Sequence, residues 1–166
     1  MKIKDKILIT GINGLLGSAL KIELKKKNFQ NIFGLNSKNY NLMNLDKLSK
    51  YVFKIKPDYV IHCGNKVFGI GGNKKNQFKM LNDNLIMNSN LIKAISEIKL
   101  KKFVCIGSTA VYSDKLKRKL NENDIFFDKP HSSEYYYGLS KRVMLEQLNI
   151  LKKDKNIPFI YIVMNN

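Results

Sequence analysis

Tyr137 and Lys141 stand four residues apart in SSEYYYGLSKRVM, where a polar stretch gives way to an apolar-striped segment. On a helix, positions i and i+4 share a face, so a phenol and an ammonium would project side by side. An isolated phenol titrates near ~10, too high to exchange a proton at neutral pH. A neighbouring ammonium favours the phenolate, so the pair predicts a lowered tyrosine pKa and a general acid/base that protonates a carbonyl oxygen. Alone, the same spacing equally marks an amphipathic helix with a snorkelling lysine. A third group is therefore needed, and Ser108 supplies it. It ends the apolar run KFVCIGS, at the carboxyl end of a strand, where open parallel sheets bind their ligands.

The first apolar run enters ITGINGLLGSAL, with Gly11, Gly14 and Gly17 spaced three apart. Backbone amides opening a helix form an anion site, and glycines let a pyrophosphate approach the main chain. The turn follows a strand and precedes a helical stripe, which is the context a dinucleotide-binding motif requires. Its expected cofactor contacts are Gly11, Asn13, Gly14, Leu15, Leu16 and Gly17. The second strand ends in GLNSKNYNL, without the acidic residue that receives the adenosine ribose of NAD. Ser37 and Lys38 suit a 2′-phosphate instead, so NADP is expected ahead of NAD.

These groups must be carried on elements. Short apolar runs at Ile7 to Thr10, Ile32 to Leu35, Tyr59 to Cys63, Phe103 to Ile106 and Phe159 to Val163 read as strands, with a weaker one at Tyr40 to Leu42. Stripes at helical spacing separate them: Leu15 to Leu24, Leu45 to Phe53, Phe78 to Ile98, and Tyr137 to Lys153. Strands without period-two alternation, parted by helices, predict a parallel sheet covered on both faces. The expected fold is α/β, a Rossmann-like doubly wound sheet of about six strands, in one domain over residues 1–166.

The formal charge of +17 suggests nucleic acid, but 28 of the 30 basic residues are lysine, Arg118 and Arg142 being the two arginines. Bidentate phosphate gripping and base readout favour arginine, and these lysines are scattered, so a solvated surface is expected rather than a nucleic-acid partner. No apolar run reaches spanning length and no signal-peptide core precedes the first strand, so a cytoplasmic protein with no membrane partner is expected. Cys63 and Cys105 lie inside apolar runs and read as reduced thiols. With His62 and His131 they share no ligand spacing, so no metal is expected.

TGINGLLG, IGSTAVY and YYYGLSK together resemble the extended short-chain dehydrogenase/reductases, the NAD-dependent epimerase/dehydratase family. Within it, KPDYVIHCGNKVFGIGGN, NDNLIMNSNLI and NYNLMNLD are most similar to the GDP-L-fucose synthases. The resemblance implies that Ser108, Tyr137 and Lys141 form a catalytic triad reducing a 4-keto, GDP-linked sugar with NADPH. It places Asn41 and Leu42 near the adenine, Gly64, Ile106 and Gly107 along the cofactor, and Lys66, Val67, Gly69, Ile70 and Thr109 with Ser108 at the sugar. It also implies a homodimer, or a complementing C-terminal half, because the family's substrate domain is absent from this length. Departures accompany it. Ala110 stands where fucose synthases carry an epimerising cysteine, Asn13 where an arginine often meets the 2′-phosphate, and Phe68 where the family has glycine. A non-catalytic dinucleotide-binding module is the alternative expectation.

Overall fold

Five apolar stretches become strands: β1 (Ile7–Thr10), β2 (Ile32–Leu35), β3 (Tyr59–His62), β4 (Lys102–Ile106) and β5 (Phe159–Ile162). In the computed structural model, which describes residues 1–39 and 41–165 apart from the side chains of Ile70 and Lys74, they form one parallel sheet ordered β2-β1-β3-β4-β5. The helices between them are α1 (Leu15–Lys26), α2 (Leu45–Ile55), α3 (Gly69–Lys75), α4 (Gln77–Ser96) and α5 (Tyr135–Lys155). The doubly wound α/β fold is as expected, with five strands rather than six. Asn41 and Leu42 lie outside any strand, while Tyr40 falls outside the described residues. Asparagine explains the difference: the Asn41 carboxamide accepts from the Met43 amide at 2.9 Å and Asn44 from that of Lys47 at 2.9 Å. Such local bonds offer the backbone a turn and a helix cap in place of a ladder.

Residues alternate between the two faces of each strand, and the core divides accordingly. Ile7 and Ile9 of β1 pack with Ile61 and, from α1, Leu24. Leu8, Val60, Phe103 and Cys105 point the other way, onto Leu48 and Val52 of α2, Leu91 and Ile95 of α4, and Met144 and Leu148 of α5. Three helices therefore cover one face. On the α1 face the sheet is covered beside β1 and β3 but open at its far end, where Ile160 and Ile162 are 44% and 41% exposed.

From β1 the chain steps outward to β2, then crosses back to β3 on the other side of β1. The order reverses between β1 and β3, and connections diverge there to opposite faces. A crevice opens at that reversal, beyond the carboxyl ends of the strands, where doubly wound sheets bind ligands.

Candidate functional site

The crevice is a cleft of about 440 Å³ lined by the glycine turn, the end of β2, the segment after β3 and one face of α4. Its floor is a close main-chain approach. Gly11 has φ +67°, and a Cβ there would lie 2.8 Å from the Gly64 Cα. A Cβ on Gly17 would lie 2.2 Å from the Gly11 carbonyl oxygen, so α1 can start where it does only with glycine. Gly14 occupies the N-cap of α1, and no side chain caps that helix. Its first amides are left for an anionic ligand.

A buried polar chain holds the floor in place. The Gly64 amide donates to Thr10 Oγ1 at 3.0 Å. That hydroxyl is 2.7 Å from His62 Nδ1, and His62 Nε2 is 3.0 Å from Asn88 Oδ1 on α4. Asn88 Oδ1 can only accept, so the neutral imidazole donates to it through Nε2 and takes the Thr10 hydroxyl proton at Nδ1. Burial holds His62 well below its usual range, at about 3, so the ring is neutral at physiological pH.

Of the expected cofactor contacts, Gly11, Asn13, Gly14, Ser37, Asn41, Leu42 and Gly64 line the cleft. Lys66, expected at the sugar, lines it too, while Lys38 is exposed outside its walls. Gly17 serves helix packing, and Leu15 is 94% exposed. Val67 is exposed, Gly69 begins α3 with φ +72°, and the Ile70 side chain lies outside the described residues. Sequence reasoning missed Asn65, Asp83 and Met87. A signal existed for Asp83: with Asn84 and Asn88 it is one of three buried polar residues within the apolar stripe of α4.

Tyr137 and Lys141 come together beside the turn that follows Ser108 at the end of β4. Ser108 follows the strand, is 3% exposed, and accepts from the Ala110 amide at 3.2 Å, capping a short 3₁₀ turn (Thr109–Val111). Helix α5 lies flush against that turn. A Cβ on Gly138 would stand 2.1 Å from the Ala110 carbonyl oxygen, which accounts for the glycine after the three tyrosines. Tyr137 packs on Ala110 and on Met80 of α4. Lys141, 1% exposed, carries its ammonium to the Ile106 carbonyl and stands 5.5 Å from the centre of the Tyr137 ring. Gly107 is walled by the Tyr161 ring. Thr109 lines a separate cleft of about 370 Å³ with Ala110, Lys117, His131 and Glu134.

The electrostatics differ from expectation in one respect. Burial, and then the Glu134 carboxylate, push Tyr137 up to about 12 rather than down. Burial also lowers Lys141 to about 8. The phenol is thus fully protonated at neutral pH, and the amine sits close to its titration point. Cys63 and Cys105 are free thiols, half-buried and buried, each raised to about 11 by burial. Among the described residues no group of three His, Cys, Asp or Glu could hold a metal, and no helix is long and apolar enough to cross a membrane.

A glycine-floored cleft at the reversal point of a parallel doubly wound sheet defines a Rossmann-like domain. The chain belongs to the NAD dependent epimerase/dehydratase family, whose pattern matches residues 7–166. It is 32% identical over 141 residues to a probable GDP-L-fucose synthase of Drosophila melanogaster, covering 84% of this chain and 44% of that protein. With a GDP-L-fucose synthase of Dictyostelium discoideum it shares 30% over 149 residues, 88% of this chain and 46% of that one. Among solved structures it superimposes with a TM-score of 0.93 on the GDP-mannoheptose C4 reductase MlghC from Campylobacter jejuni with NADP bound, at 26% identity, over 100% of this chain and 52% of that one. The chain spans about half the length of the relatives it matches.

Proposed function

We propose that this chain is the cofactor-binding and proton-transferring part of an NADP-dependent reductase acting on the 4-keto group of a GDP-linked sugar. The observation that supports it is that Tyr137 and buried Lys141, 5.5 Å from ring centre to ammonium, stand beside the turn that follows Ser108 at the carboxyl end of β4, the edge of the sheet at which the glycine-floored cleft opens. The cleft fits the cofactor. Gly11, Gly14 and the uncapped start of α1 suit a diphosphate, and the end of β2 presents Asn36, Ser37 and Asn41 with no carboxylate to repel a 2′-phosphate. The relatives' names supply the GDP-sugar class, and MlghC, with NADP bound, supplies the preference for that dinucleotide.

Bound NADPH supplies the hydride. Tyr137 Oη holds the proton that the ketone oxygen must receive. Its pKa of about 12 keeps that proton in place until an alkoxide, a stronger base, develops beside it. The Ser108 hydroxyl donates to the same oxygen and orients it. Lys141, at about 8, is mostly protonated at neutral pH, so its charge stabilises the phenolate left behind and can return a proton to it. Ala110 offers neither acid nor base, which favours reduction without epimerisation.

The test is twofold. Titration of the chain with NADPH, followed by nicotinamide fluorescence, should give a saturable curve. In a longer protein that joins this chain to the family's substrate half, a GDP-linked 4-keto-6-deoxy sugar should make the absorbance of the reduced nicotinamide fall. Tyr137→Phe should slow that oxidation by roughly 10²-fold or more, the usual scale for a lost general acid, while leaving NADPH affinity within about twofold. Unchanged turnover in the variant would remove Tyr137 from the reaction.

A further inference from the structure

Lys66 was expected at the sugar, yet it lines the dinucleotide cleft, and among the described residues lining that cleft it is the one cation. Its main chain is fixed from α4. The Lys66 amide donates to Asn84 Oδ1 at 2.7 Å, Asn84 Nδ2 donates to the Lys66 carbonyl at 2.9 Å, and Asn84 is wholly buried. The side chain is differently placed. Lys66 Nζ lies 2.8 Å from Asp83 Oδ2, and Lys79 Nζ lies 3.1 Å from the same oxygen. Two ammoniums on one carboxylate leave a surplus of one positive charge at the lip of the cleft. The Lys66 bond holds the Asp83 carboxyl below its usual range, with Lys79 adding to the effect. Lys79 would keep the carboxylate paired if Lys66 swung away on its four-carbon stem.

We propose that Lys66 is the phosphate ligand of this cleft, its ammonium leaving Asp83 to take a phosphate oxygen of the bound dinucleotide. The inference rests on reading the cleft as a dinucleotide site. It gives Lys66, inside the cleft walls, a phosphate-binding role beside the one expected of Lys38. A phosphate competes well against a carboxylate already shared with a second lysine, because the charge-assisted bond gained replaces half of a divided one. The pinned backbone means that only side-chain torsions change.

The full chain, titrated with NADPH and with NADH, distinguishes the layers of this claim. If the wild type binds neither, the dinucleotide reading itself fails. If it binds, Lys66→Met should weaken NADPH at least tenfold with an unchanged thermal midpoint. Loss for NADPH alone assigns the 2′-phosphate, and equal loss for NADH assigns the diphosphate. Both affinities unchanged would overturn the proposal while leaving the cleft's reading intact. Two further variants fix the sign. Asp83→Asn frees Lys66 and should tighten NADPH, whereas Lys79→Met leaves the carboxylate to Lys66 alone and should weaken it severalfold. Weakening by Asp83→Asn would mean that the pair merely braces the loop, which also sinks the proposal and decides the matter should Lys66→Met fail to fold.

Discussion

Replacing Lys141 by Met should make the protein more stable at neutral pH, because the fold holds this amine where a charge is unwelcome. Burial lowers it from 10.5 to about 8, and at 1.36 kcal/mol per pH unit that fall is worth about 3 kcal/mol. The side chain is 1% exposed, so solvent screening does not discount the figure. Methionine fills a similar volume without charge. It forfeits the bond to the Ile106 carbonyl, which offsets about 1 kcal/mol, and leaves a net gain of roughly 2 kcal/mol at pH 7. The sign follows from proton counts. Below pH 8 both folded and unfolded lysine are protonated, and the burial penalty is fully present. Between about 8 and 10.5 the unfolded state binds the extra proton, so wild-type stability rises with pH and the variant's advantage shrinks. Cys63 and Cys105, both raised to about 11, and Tyr137, raised to about 12, oppose that rise above about pH 9. Because the Lys141 charge itself holds both thiols down, its removal lets them rise further, so the amine's own contribution is read from the difference at pH 7 and 8, below the range in which the thiols titrate. Urea denaturation of the pair at pH 7, 8, 9 and 10 measures it. A Lys141→Met protein less stable than wild type at pH 7, with a difference independent of pH, would refute the argument that a strained amine is kept for its chemistry.

Two other substitutions probe how the site is positioned. Gly138→Ala sets a Cβ 2.1 Å from the Ala110 carbonyl oxygen, and should cost roughly 1–3 kcal/mol in urea denaturation as α5 is pushed off the Ser108 turn. Because Tyr137 and Lys141 ride on that helix, turnover should fall further than NADPH affinity. Thr10→Val removes the hydroxyl joining the Gly64 amide to His62, stranding the buried His62 nitrogen at about 1–3 kcal/mol and freeing a partly buried amide. Thr10→Ser, which keeps the hydroxyl, should restore most of the stability.

What the sequence discloses and what it conceals divide along the range of the interactions. The glycine turn, the strand-end serine and the Tyr137/Lys141 pair are local: spacing three apart in a turn, or four apart on a helix, states the geometry directly. The α/β alternation is local as well, since each buried strand and each apolar stripe carries its own period. At Asn41 and Leu42 the expected strand gives way because propensity there is outweighed by the side-chain bonds of Asn41 and Asn44, whose targets two and three residues onward a hydropathy pattern does not count. The pKa of Tyr137 was misjudged for a different reason. Proximity to an ammonium is legible in sequence, but the degree of burial is set by Met80 and Ala110, which arrive from α4 and from the turn after β4. Desolvation then outweighs the nearby charge, and the direction reverses.

The same logic explains why α4 looked like a plain core helix. Its polar residues Asp83, Asn84 and Asn88 interrupt the apolar stripe on the side that meets the segment after β3. A buried carboxylate or carboxamide costs free energy unless partnered, so their presence in such a stripe demands partners from elsewhere in the chain. Lys66 partners Asp83 and Asn84, and His62 partners Asn88 Oδ1, while Asn88 Nδ2 stays without a hydrogen bond among the described residues. Polar interruptions of a core helix thus mark where the helix has been recruited to hold a ligand site. Here they hold the floor at Gly64, through His62 and Thr10, and the main chain and ammonium of Lys66, one helix serving to position both.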